Sequence, residues 1–290
     1  MDKKHKFKLY DFWTISLSEL NSKASFLKRK DKKYLLSAWE FFDVIEKLKE
    51  DFDILEIKGQ KVFSYDNVYM DTHDHLFYNQ HQNKEKSRTK VRTRYYVDNN
   101  LAFFEYKHKK KGITSKYRYE FPSEEHGFMT KGKKRFFEWI WQSIYWCNNK
   151  TPKISPSIRT KYKRITLVNK NNSERLTIDF DIRTYNLRNE KSNEINLKNL
   201  VILESKSMDK KSTCTKLMKK LEIKQSKSCS KYSLWIIYSG LAKKFDTFID
   251  TIEKIKEIRL STLKNRTRES KILSKTATNK MLIKQIEKVS

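Results

Sequence analysis

Glycine and proline are scarce in this chain of 290 residues, at 5 and 3, so few breaks punctuate it. Its three cysteines, Cys147, Cys214 and Cys229, are scattered. That excludes a paired disulfide framework and CxxC metal spacing, suits a reducing compartment, and leaves them as plain core or surface thiols. No apolar run approaches the ~20 residues that a membrane-spanning helix needs, and the longest, from Leu234 to Tyr238, is far too short. The N-terminal MDKKHKFKLYDFW is basic, but no apolar stretch of signal-peptide length follows it. A soluble, cytoplasmic protein is expected. Acidic residues are the minority, 35 Asp and Glu against 64 Lys and Arg, for a formal net charge of +29 and a pI near 9.8. That balance implies an anionic partner, whether phosphate, nucleic acid or an acidic lipid surface. Also lacking is a convincing Ser, His, Asp set for nucleophilic catalysis.

What is present points to a packed protein. Aromatic residues make up 13% of the chain despite its 34% charged content, whereas disordered chains are poor in them. The length suits one large domain or two small ones. From Arg88 to Arg118, three candidate strands alternate charged with apolar or neutral side chains. Successive strand side chains point to opposite faces, so Arg88, Lys90, Arg92 and Arg94 share one face and Val91, Thr93 and Tyr95 the other. In LAFFEYKHK the residues Phe103, Glu105, Lys107 and Lys109 fall together, and beyond Gly112 so do Thr114, Lys116, Arg118 and Glu120. The solvated face of a meander would account for scattered lysines. Neighbouring like charges repel, however, about as strongly as favourable cross-strand pairs attract. A stack this dense calls for a polyanion whose oxygens accept bidentate Arg hydrogen bonds.

The rest of the chain reads in the same terms. Residues 1–28 form a lead-in whose aromatic cluster, Tyr10, Phe12 and Trp13, docks on the main body. RKDKKYLLS places Arg29, Asp31 and Lys33 on one face of a short strand. Ser37 with Glu40 is a capping-box signature opening a helix to about Asp51 that buries Phe41, Ile45 and Leu48. A strand over Phe63–Asp71 leads through VYMDTHDHLFY, where His73, His75 and His81 read as a solvated loop. With no nearby Cys and no second motif, they are weak as a zinc site. Phe136, Phe137, Ile140, Trp141 and Ile144 mark a second amphipathic helix. Three further strands align Ile158, Thr160, Tyr162, Arg164 and Thr166; then Arg175, Thr177, Asp179 and Asp181; then Leu200, Ile202, Glu204 and Lys206. An exposed loop rich in Asn and Lys separates the last two, to Asn199. Ser212 opens a shorter helix, and Lys231 precedes an aromatic stretch. Residues 241–290 carry 13 Lys and Arg against 6 Asp and Glu, so most of the charge belongs to the main body. Helical spacing persists to about Leu263, with a loose polar segment beyond Lys264.

The strands RxDxKY, KVRTRYY, FEYK, KYR, YKR, RLTIDFD, ILESK and SKY, in this order, closely resemble the VTC domain, the catalytic domain of polyphosphate polymerases within the triphosphate tunnel metalloenzyme superfamily. The resemblance covers roughly residues 25–240, between a lead-in at 1–24 and a basic helical or loose extension at 241–290. It implies an α+β fold, an antiparallel β-barrel of about eight strands with charged faces inward and helices outside. By motif, Lys33, Arg92, Arg94, Lys107, Arg164 and Lys231 resemble the catalytic phosphate ligands. Lys116, Arg118, Tyr162 and Lys206 resemble further phosphate contacts, with the choice between Lys116 and Arg118 left open. Glu204 resembles the family's metal-binding glutamate, implying Mn²⁺ or Mg²⁺. Asp31 stands where bacterial relatives tend to have Glu, and Glu105 is as easily a salt-bridge partner as a ligand. The implied partners are ATP and polyphosphate. A tunnel triphosphatase is the nearest alternative, although RxDxK replaces that group's ExExK strand. A polyphosphate- or nucleic-acid-binding protein is the other.

Overall fold

Alternation along the strands gives the sheet two unlike faces, and the helices divide between them. The computed structural model describes residues 9–23, 29–145, 150–171, 173–189, 193–197 and 199–270, with Tyr10, Lys23 and 262–270 described by their backbone alone. Cys147 and residues 271–290 of the basic extension lie outside the described residues. The chain begins β1 (Thr14–Ile15), α1 (Leu17–Lys23), β2 (Lys30–Ser37), α2 (Ala38–Leu48) and β3 (Phe52–Leu55). Next come β4 (Phe63–Asp71), α3 (Leu76–Gln82), the meander β5 (Ser87–Tyr96), β6 (Leu101–Lys110) and β7 (Ile113–Phe121), and α4 (Lys131–Tyr145). The second half runs β8 (Ser155–Asn169), β9 (Glu174–Asn186), β10 (Ile195–Leu197), β11 (Leu200–Ser207), α5 (Thr213–Lys220), β12 (Gln225–Ser226), α6 (Lys231–Tyr238) and α7 (Ile249–Ser270).

The twelve strands among the described residues join one sheet, whose main path is the antiparallel order β12, β2, β11, β9, β8, β4, β5, β6, β7. This is an α+β fold, but the expected closed barrel of about eight strands is corrected: the sheet is open. Among the described residues β7 pairs only with β6, and β12 only with β2. β7 is exposed along nearly all its length and β12 is two residues long. Short or charged edge strands are how sheets avoid further pairing.

The outward strand residues pack beneath helices. Tyr34, Leu36, Val201, Leu203, Ile178 and Ile165 meet Phe41, Ile45 and Leu48 of α2 and Met218 of α5. Val68, Val91, Phe104 and Tyr106 meet Phe137, Ile140 and Trp141 of α4. Ser37 caps α2, accepting from the Glu40 N–H at 3.2 Å while Glu40 accepts from the Ser37 N–H at 2.6 Å. Phe12 reaches the first of these cores, whereas Trp13 is exposed.

Helices α6 and α7 behave differently, entering the inner face. Tyr232, Leu234, Trp235, Ile252, Ile255 and Ile258 pack there on Leu35, Ile158, Ile182, Leu200 and Ile202. The inner face is therefore half apolar, under α6 and α7, and half charged. The sheet also curls. Lys33 on β2 donates to the carbonyl of Cys229 at 2.9 Å, and Lys90 on β5 donates to the adjacent Ser230 Oγ at 2.8 Å, so strands five places apart in the sheet reach one short segment.

Several local expectations change. The histidine loop is partly helical: α3 buries Phe77 and Tyr78, and His81 within it has a buried Nε2 without a hydrogen-bond partner among the described residues. Asp181 does not continue the face of Asp179. It sits at φ 48° where the β8–β9 register shifts, two residues of β9 opposing one of β8. Such a bulge reverses the side-chain phase, and Asp181 pairs instead with Arg183 at 3.1 Å. The Asn- and Lys-rich loop contains β10, and the α7 helix continues past Leu263 to Ser270.

Candidate functional site

The charged half of the inner face is built around carboxylates that each gather several cations. Glu105, in the middle of β6 and 2% exposed, is the largest such centre. Antiparallel register sets it opposite Arg92 on β5 and Arg118 on β7. It accepts from Arg92 Nε and Nη2 at 2.8 and 2.6 Å and from Arg118 Nη2 at 3.1 Å, with Lys116 Nζ at 2.6 Å and Arg94 Nε at 3.9 Å. Burial works against its charge, but Arg92, Arg94 and Lys116 outweigh burial and hold its carboxyl far below the usual range. Lys116 and Arg118 thus both serve Glu105, and Lys107 does not.

Asp179 on β9 is the second centre, 1% exposed. Arg164, its partner in the β8–β9 register, donates Nε and Nη2 at 2.5 and 2.8 Å. Lys231, the first residue of α6, donates to the same carboxylate. Burial again opposes the charge, and Arg164 and Lys231 again prevail, lowering the Asp179 pKa. The β8 alternation places Tyr162 beside Arg164, stacked on Tyr65 at 5.3 Å and 8°. The Arg164 guanidinium lies 4.8 Å from the Tyr65 ring centroid, and Lys231 Nζ 4.8 Å from that of Tyr162. Arg94 is fixed on every side: Nε donates to Asn67 Oδ1 at 2.9 Å, Nη2 to the Tyr162 hydroxyl at 3.5 Å, and the group lies 5.4 Å from the Tyr65 centroid. Aromatic faces and neutral acceptors keep the closely spaced cations apart.

Glu204 on β11 is paired in register with Lys33 of β2 and has Lys206 Nζ at 3.2 Å. Burial opposes ionisation of Glu204, yet Lys206, Lys33, Arg164 and Lys231 hold its carboxyl well below the ordinary range. Burial moves Lys206 the other way, down to about 8. Among the described residues no group of three or more His, Cys, Asp or Glu converges as a metal cage. A magnesium-like ion needs only one or two carboxylates when substrate phosphates supply the remaining oxygens. Glu204 suits that role, with its side chain one-fifth exposed and Lys206 its only ion-pair partner among the described residues.

Lys90 and Lys107 complete the arrangement. Lys107 makes no hydrogen bond or ion pair among the described residues and is exposed. Although its surface is accessible, the crowded inner face desolvates its ammonium group and lowers its pKa, and Glu204 and Asp31 partly restore it. Lys90 is pushed well below its ordinary value, by burial first and then by Lys33, Lys107, Arg92 and Arg88. A cation so poorly matched at rest is set to gain from a bound anion.

Sequence reasoning placed Lys90 on the charged face without assigning it a part, although it lies two residues from Arg92 on the same alternation. Asp179 was likewise visible as the inward acid of RLTIDFD. Tyr96 closes the KVRTRYY motif and follows Arg94 on the same alternation, whereas Tyr65 carries no motif of its own and only the sheet register brings it to the arginines.

The family model of the VTC domain matches residues 28–236. No curated protein matches the chain. Among solved structures, a candidate adenylate cyclase from Bacillus halodurans is similar at 13% identity and a TM-score of 0.42, over 71% of this chain and 97% of that one. A candidate adenylyl cyclase from Hippeastrum, described as having a dominant triphosphatase activity, is similar at 12% identity and a TM-score of 0.44, over 76% of this chain and 99% of that one. Likenesses this distant do not decide the activity.

Proposed function

The chain belongs to the VTC domain family, and from that premise we propose that it is a polyphosphate polymerase, transferring the γ-phosphoryl group of ATP to a growing phosphate chain. The observation that carries the reading is the state of the inner carboxylates. Glu105, Asp179 and Glu204 are all held ionised by neighbouring cations, with pKa values below the ordinary range. A carboxylate that resists protonation is a poor proton acceptor. Hydrolysis calls for an activated water, whereas a terminal phosphate oxygen is already an anion and needs no base. Positioning and charge neutralisation then supply most of the catalysis.

In this reading Lys33, Arg92, Arg94, Lys107, Arg164 and Lys231 bind the reacting phosphates. Arg94 presents a fork that two neutral acceptors already orient. Lys116, Arg118, Tyr162 and Lys206 extend the contacts along the chain, and Lys90 joins them. Glu105 holds Arg92 and Arg118 together on the inner face. Glu204 would hold Mn²⁺ or Mg²⁺, which when bound supplies further charge neutralisation at the phosphate oxygens. On the β2 strand, Asp31 lies 3.4 Å from Arg29, so the RxDxK strand offers an acid already paired with a cation rather than two free ones. That favours transfer over hydrolysis.

Phosphate accounting tests the proposal. With ATP and Mn²⁺, the purified protein is expected to release ADP without an equivalent of orthophosphate. Orthophosphate equal to ADP assigns the site to a triphosphatase. No turnover, with tight salt-sensitive binding of oligonucleotides, assigns the protein to nucleic acid.

A further inference from the structure

The sequence VYMDTHDHLFY ends β4 and starts α3, and the first of its two aspartates, Asp71, is given no part in phosphate binding. Asp71 is fully buried. Its carboxylate accepts from the backbone N–H groups of Thr72, Phe77 and Tyr78 at 2.8, 2.9 and 3.0 Å. Two of these belong to the first turn of α3, whose N-cap residue His75 makes no side-chain capping bond. Asp71 therefore caps that helix from the end of the preceding strand. A fourth donor to the same carboxylate is the hydroxyl of Tyr232, far along the chain and next to Lys231.

Lys231 and Tyr232 open α6 and diverge. Lys231 reaches Asp179 and the Tyr162 ring, while Tyr232 turns back to β4, where its ring lies 5.1 Å from that of Tyr69. The Tyr69 hydroxyl in turn accepts from Arg92 Nη1 at 3.4 Å. The rest of α6 is held by Leu234, Trp235 and Ile236, all fully buried. Apolar burial is strong but non-directional, so the orientation of the polar side chains at the helix start rests on their hydrogen bonds.

Four side-chain bonds among the described residues fix the start of α6 and its lead-in to the sheet. Lys33 holds the Cys229 carbonyl, Lys90 holds Ser230, Lys231 holds Asp179, and Tyr232 holds Asp71. The first three use cations that an incoming polyphosphate would recruit. The fourth uses none. We propose that the Asp71–Tyr232 bond is a positioning device that keeps Lys231 in register with the opposite wall of the cleft while the other three bonds are given up to the ligand. Tyr232 and Asp71 are then positioning residues that act through Lys231, and the inference rests on the cleft being the polyphosphate site.

A double-mutant cycle on the full chain, read as the dissociation constant of inorganic tripolyphosphate without metal, tests this independently of turnover. Lys231→Ala is expected to weaken binding about tenfold, the scale of one charge-assisted hydrogen bond. Tyr232→Phe is expected to weaken it several-fold in the natural protein and not at all in the Lys231→Ala background. A merely structural role predicts equal losses in both backgrounds, because contacts elsewhere would suffer alike. Melting temperatures are read alongside, and Asp71→Asn gives a second route should Tyr232→Phe fail to fold. Additive losses, or an unchanged dissociation constant in Tyr232→Phe, overturn the proposal. So does a natural protein that does not bind tripolyphosphate. Coupled losses in a protein that makes no polymer keep the positioning role and remove only the polymerase assignment.

Discussion

Arg94 shows how much a single side chain is asked to do here. Its guanidinium satisfies Asn67 and Tyr162, lies over Tyr65, and still stands within 3.9 Å of Glu105. A lysine keeps the charge but not the fork. With charge-assisted hydrogen bonds worth about 1.5 to 3 kcal/mol, Arg94→Lys is expected to lower turnover by roughly tenfold to a hundredfold. Thr93, one residue away, is fully buried on the opposite face and accepts from the Gly127 N–H at 3.3 Å. Thr93→Val is expected to lower the melting temperature while leaving the tripolyphosphate dissociation constant unchanged, as titration and melting of the same variant would read. Glu204→Gln keeps size and loses charge. It is expected to abolish turnover with Mn²⁺ while metal-free tripolyphosphate binding survives, because a repelling carboxylate has gone. Normal turnover in that variant would remove Glu204 from the metal site. The alternation of charged residues was legible from KVRTRYY alone. The support from Tyr65 was not, since it reaches Arg94 and Arg164 from a neighbouring strand through the sheet register.

At the scale of elements, strands were easier to read than the irregularities between them. A period of two is visible in a sequence, but the bulge at Asp181 is not, because nothing in RLTIDFDI marks one residue for a left-handed backbone. α3 was hidden for a related reason: its caps come from Asp71 at the end of the preceding strand and from Thr72, four residues before the helix, rather than from the N-cap position itself. α2 carries a local signal, and it formed where Ser37 and Glu40 placed it. Ser37→Ala is expected to cost about 0.5 to 2 kcal/mol of stability, read as a lowered midpoint in urea. The paired carboxylates add a pH dependence with a definite sign. Glu105, Glu204 and Asp179 have folded pKa values depressed from ordinary values of 4.5, 4.5 and 3.8. Their contribution is complete above those values and is lost as pH falls towards the folded ones. The melting temperature is therefore expected to hold steady at neutral pH and to fall steeply below about pH 4.5, less steeply in Glu105→Gln. An equal slope in that variant would contradict the role given to Glu105.

Over the whole molecule, the resemblance read from the motifs implied a closed barrel of about eight strands, and the chain instead forms an open twelve-stranded sheet curled around its own charge. The places of the main strands along the chain follow from local alternation and were legible, whereas their order in the sheet was not. Closure depends on whether two distant edges meet, and no residue pattern records that. The cleft keeps its cations close enough to suppress one another, as at Lys90, whose pKa burial and Lys33 lower. An anion reverses that suppression, so tripolyphosphate binding is expected to take up protons at alkaline pH, measurable by calorimetry in two buffers and diminished in Lys90→Met. The central claim, that this charge serves polymer synthesis, is tested most directly by the ³¹P spectrum of the protein with ATP and Mn²⁺. Signals of internal phosphoanhydride groups growing as ATP disappears are predicted. A spectrum that gains only ADP and orthophosphate would contradict it.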